Sequence, residues 1–214
     1  MELLVTLPQY DKTTAYASAW SQKIISMANN LGVKVLDIEN PNRNNFESYI
    51  ESNNADLMVL NGHGSTTCVE GEDEEPMLQK NDNEDLTKDK IVYARTCSSA
   101  KELGPSCVEN GAKAYIGYED KFNFIIQTKK TTKPLEDKVA ELCLYPSNQV
   151  PISLLKGKTA KEAYGRSQQE YQEALRDALT NYELDSGEIF KSVAWNMEVQ
   201  KLSGDTEADI KQVQ

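Results

Sequence analysis

Histidine occurs once in the 214 residues, at His63. Chemistry that needs two histidines from this chain is excluded, and chemistry that needs one has a single candidate. The four cysteines, Cys68, Cys97, Cys107 and Cys143, include no C-x-x-C pair, so neither a zinc knuckle nor a thioredoxin-type motif is expected. In a reducing compartment they stand as free thiols. No apolar run approaches the ~20 residues of a membrane span. The stretch from Met1 to Lys12 has no basic n-region and only a short apolar run, so it is not read as a signal peptide, and a cytoplasmic location is expected. Positive charge is scarce too: 23 Lys and Arg against 34 Asp and Glu leave a net charge of −11. A nucleic-acid partner needs a basic face for its phosphates and is not expected, nor is an anionic membrane surface. Apolar residues make up 39% of the chain and fall in blocks. They are expected to bury one core without metal or disulfide support. That predicts a single domain over 1–205, followed by a polar, frayed tail over 206–214.

The blocks alternate in kind. Glu2–Pro8 reads as a strand. Ala17, Trp20, Ile24, Met27, Ala28 and Leu31 recur at helical steps, closed by Gly32. Val33–Ile38 is a second strand, followed by a short helix around Phe46–Glu51. Asp56–Leu60 is a third strand, Ile91–Ala94 a fourth and Ala112–Tyr118 a fifth. About three turns of helix are expected between Cys97 and Asn110, with a break at Gly104-Pro105. Beyond strand five, Phe122–Ile126 reads as a strand and Pro134–Cys143 as a helix. Thr159 and Glu162 form a capping box that opens a helix with an apolar stripe from Ala163 to Tyr182, and a last element covers Ile189–Leu202. This order predicts an α/β fold, a three-layer α/β/α sandwich with a mainly parallel sheet. Ligand and catalytic groups then belong at the carboxyl ends of the strands.

Two residues with chemistry to offer stand there: His63 after strand three and Cys97 after strand four. A cysteine hydrolase needs a thiolate, or a thiol with a base beside it, and N–H donors for the oxyanion. Cys97 is expected to open a helix, whose N-terminus would lower the thiol pKa. His63 lies between Gly62 and Gly64, and the Gly64 N–H is a candidate oxyanion donor. Neighbouring parallel strands run about 4.8 Å apart, so residues just past both ends can share one substrate. Taken singly, a loop histidine is usually only polar and a cysteine after a strand usually only a small buried hydrophobe. The pairing at matching strand ends is what raises the functional reading.

The histidine precedes the cysteine. Papain-like enzymes and class I glutamine amidotransferases carry the cysteine first, and no histidine follows Cys97. DLMVLNGHGS and IVYARTCSSAKELG, an apolar strand ending in His-Gly and an apolar strand ending in x-x-Cys, resemble the clan CD cysteine peptidases, the group of caspases, metacaspases, legumain, gingipains and bacterial CHAT domains. VENGAKAYIGY and the late VQKLSGD are similar to segments of the CHAT and gingipain-like members. The resemblance implies a caspase-like fold and an endopeptidase working by a Cys–His dyad through a thioester. Cys97 would be the nucleophile, His63 the general acid/base, and the backbone N–H groups of Gly64 and Cys97 the oxyanion hole, with no third residue required. It also places Arg95 at the wall of the S1 pocket, with Glu119 and Asp120 on a bordering loop. An unpaired Arg95 would favour an acidic P1 side chain, whereas pairing with Glu119 or Asp120 would favour a neutral one. Thr96 stands where many relatives have Ala or Ser. Only 14 residues separate Cys97 from the expected strand five, so no cleavable caspase-type linker fits there. The implied partners are a protein substrate and an activating protein or ligand.

Residues 65–90 hold nine acids and three lysines, a local charge of −6. The EF-hand offsets are missing, so a solvated, mobile loop is expected rather than a calcium site, and no cofactor is expected. The loop could also cover the site or meet a basic partner. Lys121, Lys129, Lys130 and Lys133 read as a solvated face. Two other functions stay open beside the peptidase: a catalytically silent caspase-like module that binds a partner, and a non-peptidase cysteine hydrolase on a flavodoxin-like sheet.

Overall fold

The computed structural model describes residues 1–181 and 186–210. Five strands, β1 (Glu2–Leu7), β2 (Lys34–Glu39), β3 (Leu57–Asn61), β6 (Ile91–Arg95) and β7 (Ala114–Tyr118), run parallel, and β8 (Gln200–Gly204) adds to the β7 edge in the opposite direction. Their order across the sheet is β2-β1-β3-β6-β7-β8, and a two-stranded hairpin of β4 (Cys68–Glu70) and β5 (Pro76–Gln79) stands apart. Six α-helices are described, α1 (Lys12–Asn30), α2 (Arg43–Ser52), α3 (Leu103–Glu109), α4 (Lys138–Leu155), α5 (Ala160–Asn181) and α6 (Ser186–Val199), with four short 3-10 turns between elements. The result is the expected α/β sandwich with a mainly parallel sheet.

Side chains alternate faces along each strand, and this divides the core in two. Leu3, Val5, Leu57, Val59, Ile91, Tyr93 and Ile116 pack with α1, α4, α5 and α6. Leu4, Met58, Leu60, Val92, Ala94 and Tyr115 pack with α2, α3 and the hairpin. The helical stripes do the same on their side, with Trp20, Ile24 and Ala28 buried on α1 and Ala163, Tyr171 and Ala178 on α5. Leu31 and Leu179, both assigned to those stripes from spacing, are exposed, and Tyr182 lies outside the described residues.

Several expectations need correction. The acidic stretch 65–90 is not an open solvated loop. Val69, Met77 and Leu78 of the hairpin are fully buried. Glu84 is buried as well, its carboxylate accepting the Asn81 N–H at 2.7 Å, the Asp82 N–H at 2.9 Å and the Ser106 hydroxyl at 2.9 Å. Burial works to raise the Glu84 pKa, but these donors outweigh it and hold the acid below its ordinary range. Phe122–Ile126 forms no strand. The expected helix over Pro134–Cys143 instead begins with a 3-10 turn and continues as α4 through Pro146 and Pro151 to Leu155. Apolar packing of Leu144, Val150 and Leu154 offsets the two absent proline N–H groups. The element at 189–202 is a helix that turns directly into β8. The Thr159–Glu162 capping box is present, with reciprocal bonds of 3.0 and 3.3 Å. The tail is not frayed up to Ile210: the Ala208 carbonyl accepts the Ala160 N–H at 2.8 Å, and Ile210 is buried. Residues 211–214 lie outside the described range. Among the described residues no helix is long and apolar enough to cross a membrane.

The buried thiols make the fold sensitive to base. Burial pushes both Cys107 and Cys143 up to about 12, whereas a thiol in an unfolded chain ionises near pH 8.5. Their contribution is complete below that pH. Above it the unfolded chain releases its protons first, and each thiol removes about 1.4 kcal/mol of stability per pH unit until the folded value is reached. Unfolding midpoints measured from pH 7 to 10.5 should therefore be level at first and fall above roughly pH 8.5. The slope should be shallower in Cys143→Ala, and a flat profile in the native protein would contradict this.

Candidate active site

The register of β3 and β6 sets the site. Asn61 pairs with Arg95 at the ends of these neighbouring parallel strands. His63 and Cys97 each lie two residues further on and so leave the sheet at the same level. Both line one small pocket of about 30 Å³, together with Arg95, Thr13, Thr14, Phe122 and Phe124.

The glycines around His63 have a local reason. A Cβ on Gly62, whose φ is +156°, would stand 1.9 Å from the Glu70 carbonyl oxygen. A Cβ on Gly64 would stand 2.9 Å from the Cys68 carbonyl oxygen and 3.1 Å from that of Cys97. The backbone brought close is thus β4 of the hairpin. The His63 carbonyl accepts the Glu70 N–H at 3.0 Å, and the Ser65 N–H donates to the Cys68 carbonyl at 3.0 Å. These two bonds flank Gly64 and leave its own N–H outside the ladder. Gly62→Ala should cost at least about 2 kcal/mol, because the obstructing atom belongs to backbone. Denaturant unfolding checks this, and native-like stability would show that the hairpin can yield.

Cys97 does not open a helix. α3 begins only at Leu103, and residues 98–102 form a turn. Ser98 adopts a left-handed φ of 61°, a conformation that costs energy for a non-glycine residue. The turn is pinned to the next strand: the Ser98 N–H donates to the Asp120 carbonyl and the Ala100 N–H to the Tyr118 carbonyl, both at 3.0 Å. Without a helix terminus the expected lowering of the thiol pKa is missing. Burial pushes Cys97 up, with Asp120 and Glu70 adding to the rise, while the Phe122 N–H bonded to the sulfur and the nearby Lys121 act the other way. Cys97 therefore rests as a neutral thiol. It is nevertheless the most accessible of the four cysteines, the other three being buried. Selective labelling of Cys97 would follow from exposure alone and is informative only against His63→Ala.

The segment that carries Phe122 is fastened from α6. Asn123 donates its N–H to Asn196 Oδ1 at 2.8 Å, and Trp195 Nε1 donates to the Lys121 carbonyl at 2.9 Å. With this segment in place the pocket is far below the roughly 300–1,000 Å³ of typical small-molecule sites.

Arg95 borders the same pocket as His63 and Cys97, but its guanidinium is not free to bind an acidic side chain there. Arg95 is 2% exposed. Nε and Nη2 donate to Asn61 Oδ1 at 3.1 and 2.7 Å, and Nη2 also donates to the Ala17 carbonyl at 2.8 Å and the Ser21 hydroxyl at 2.7 Å. Nη1 donates to Asn148 Oδ1 at 2.8 Å and the Ser147 hydroxyl at 3.1 Å. The five N–H donors of a guanidinium are thus occupied by neutral acceptors that tie α1, β3 and α4 to β6. The bidentate contact to an acidic P1 group has no donors left. Neither suggested acid neutralises Arg95: Glu119 pairs with Lys201 at 3.3 Å, and Asp120 Oδ1 accepts the Lys121 N–H at 2.7 Å.

One contact had no counterpart in the sequence reading. His63 Nε2 lies 2.9 Å from Asp11 Oδ2. Asp11 caps α1, and its D-x-x-T spacing at the end of the first strand was the one available signal. Among the described residues no group of three His, Cys, Asp or Glu side chains could hold a metal ion. No known protein family and no curated protein matches this chain.

Proposed function

We propose that the protein is a caspase-like cysteine endopeptidase acting on a protein target. The observation that carries this reading is the exit of His63 and Cys97 at one level from adjacent parallel strands into one pocket. Cys97 is a neutral thiol, so its proton must leave as the sulfur attacks. His63 takes that proton while Sγ bonds to the substrate carbonyl carbon. The oxyanion is received by the N–H groups of Gly64 and Cys97. The imidazolium then protonates the departing amine, leaving a thioester, and His63 activates the water that hydrolyses it. A peptide strand needs more room than 30 Å³, so the Phe122–Phe124 segment moves aside as the peptide binds.

The same small pocket favours a second reading, a silent caspase-like module that binds a partner. Intact-mass measurement after rapid acid quench with a peptide mixture separates the two. The peptidase accumulates a thioester adduct on Cys97 that is absent in Cys97→Ala, whereas the silent module gives none.

A further inference from the structure

We propose that Asp11 is the positioning residue of His63, holding the ring so that Nδ1 is the atom that receives the Cys97 proton; this rests on the His63–Cys97 chemistry above. Asp11 divides its two oxygens between two tasks. Oδ1 accepts the Thr14 N–H at 2.8 Å and the Thr14 hydroxyl at 3.0 Å, closing the capping box of α1, while Oδ2 faces His63 Nε2 at 2.9 Å. The cap alone does not call for a carboxylate. α2 starts with the same reciprocal box built from Asn42 and Asn45, and Asn caps as well as Asp. The charge at position 11 therefore has its use on the other oxygen. Burial works to raise the Asp11 pKa, but the Thr14 N–H, His63 and the Thr14 hydroxyl together hold it below the ordinary value, so it is a carboxylate at neutral pH.

A neutral imidazole has one N–H and one bare nitrogen. Donation from Nε2 to Asp11 leaves the lone pair on Nδ1. The proton passes from Cys97 Sγ to Nδ1 as the carbon–sulfur bond forms, and from Nδ1 to the leaving amine as the peptide bond breaks. The Nε2 proton stays between His63 and Asp11 throughout, and the carboxylate faces the imidazolium while it exists. His63 and Asp11 side chains are 30% and 40% exposed, so the effect is mainly one of orientation, short of that of a fully buried triad acid.

Asp11→Asn retains the cap and removes the charge. It should leave the unfolding midpoint unchanged and lower kcat roughly 10- to 100-fold, with KM unaffected. Alkylation of Cys97 by iodoacetamide should slow towards the rate of His63→Ala. Wild-type kcat together with wild-type alkylation in Asp11→Asn would overturn the proposal. Because the chain has one histidine, ¹⁵N spectra of its ring give an arm that needs no peptidase activity. Nδ1 should resonate as a bare nitrogen and Nε2 as a protonated one, and the two should move towards averaged values in Asp11→Ala. Identical spectra in both proteins, or a protonated Nδ1 in the neutral ring, would also overturn it. If the spectra change as stated while no peptide is cut, the positioning stands and the peptidase reading is what fails.

Discussion

Cys97→Ala and His63→Ala each reduce kcat/KM for peptide cleavage by at least about 10³-fold, with the far-UV spectrum and unfolding midpoint little changed. Cys97 has no substitute because the other three thiols are buried. His63 has none because it is the sole histidine. A neutral thiol makes the base indispensable: with burial holding Cys97 protonated, attack without His63 must wait for the small thiolate fraction. The double variant should be little worse than either single one, since the two groups act as a unit. Full activity in either single variant would end the dyad.

The second large effect concerns stability. Arg95→Met removes the charged donors to Asn61, Ser147, Asn148, Ser21 and the Ala17 carbonyl; the serines, Asn61 and the Ala17 carbonyl keep further bonds, whereas Asn148 Oδ1 is left with no other partner among the described residues. Each buried polar group left without a partner costs about 1–3 kcal/mol. Even with relaxation a loss of at least about 3 kcal/mol is expected, or a melting temperature lower by roughly 6–12 °C for a domain of this size. Loss of the buried cation itself relieves some desolvation, since burial already disfavours the charged form of Arg95. That relief cannot replace six specific contacts. A calorimetric scan distinguishes the two accounts of this residue. A strongly destabilised variant fits the node beneath the sheet ends, whereas native stability with an altered P1 preference would make the Arg95 charge a reader of P1.

The parallel strands were legible because burial on both faces demands continuous apolar runs such as LMVL and IVYA. The helix stripes were legible for the matching reason of helical period. What stayed hidden has physical causes of its own. β4 and β5 are three and four residues long and stand among acids, so no alternation could build up. Glu84 reads as one more surface charge until its donors are seen. The turn after Cys97 depends on hydrogen bonds from Ser98 and Ala100 to the far end of β7, which composition does not encode. His63 and Cys97 were found because a strand end is a local feature. The Asp11 contact spans 52 residues of sequence and arises only when β1 and β3 become neighbours. Arg95 was placed correctly along the chain, at the end of β6, but its side-chain partners come from α1, β3 and α4.

The central claim is that Cys97 cuts protein chains. Its most direct test is a profile of new N-termini in a proteome treated with the wild-type protein or with Cys97→Ala. The account predicts a defined set of cleavages with wild type that vanishes with Cys97→Ala. Matching profiles from the two proteins would contradict it.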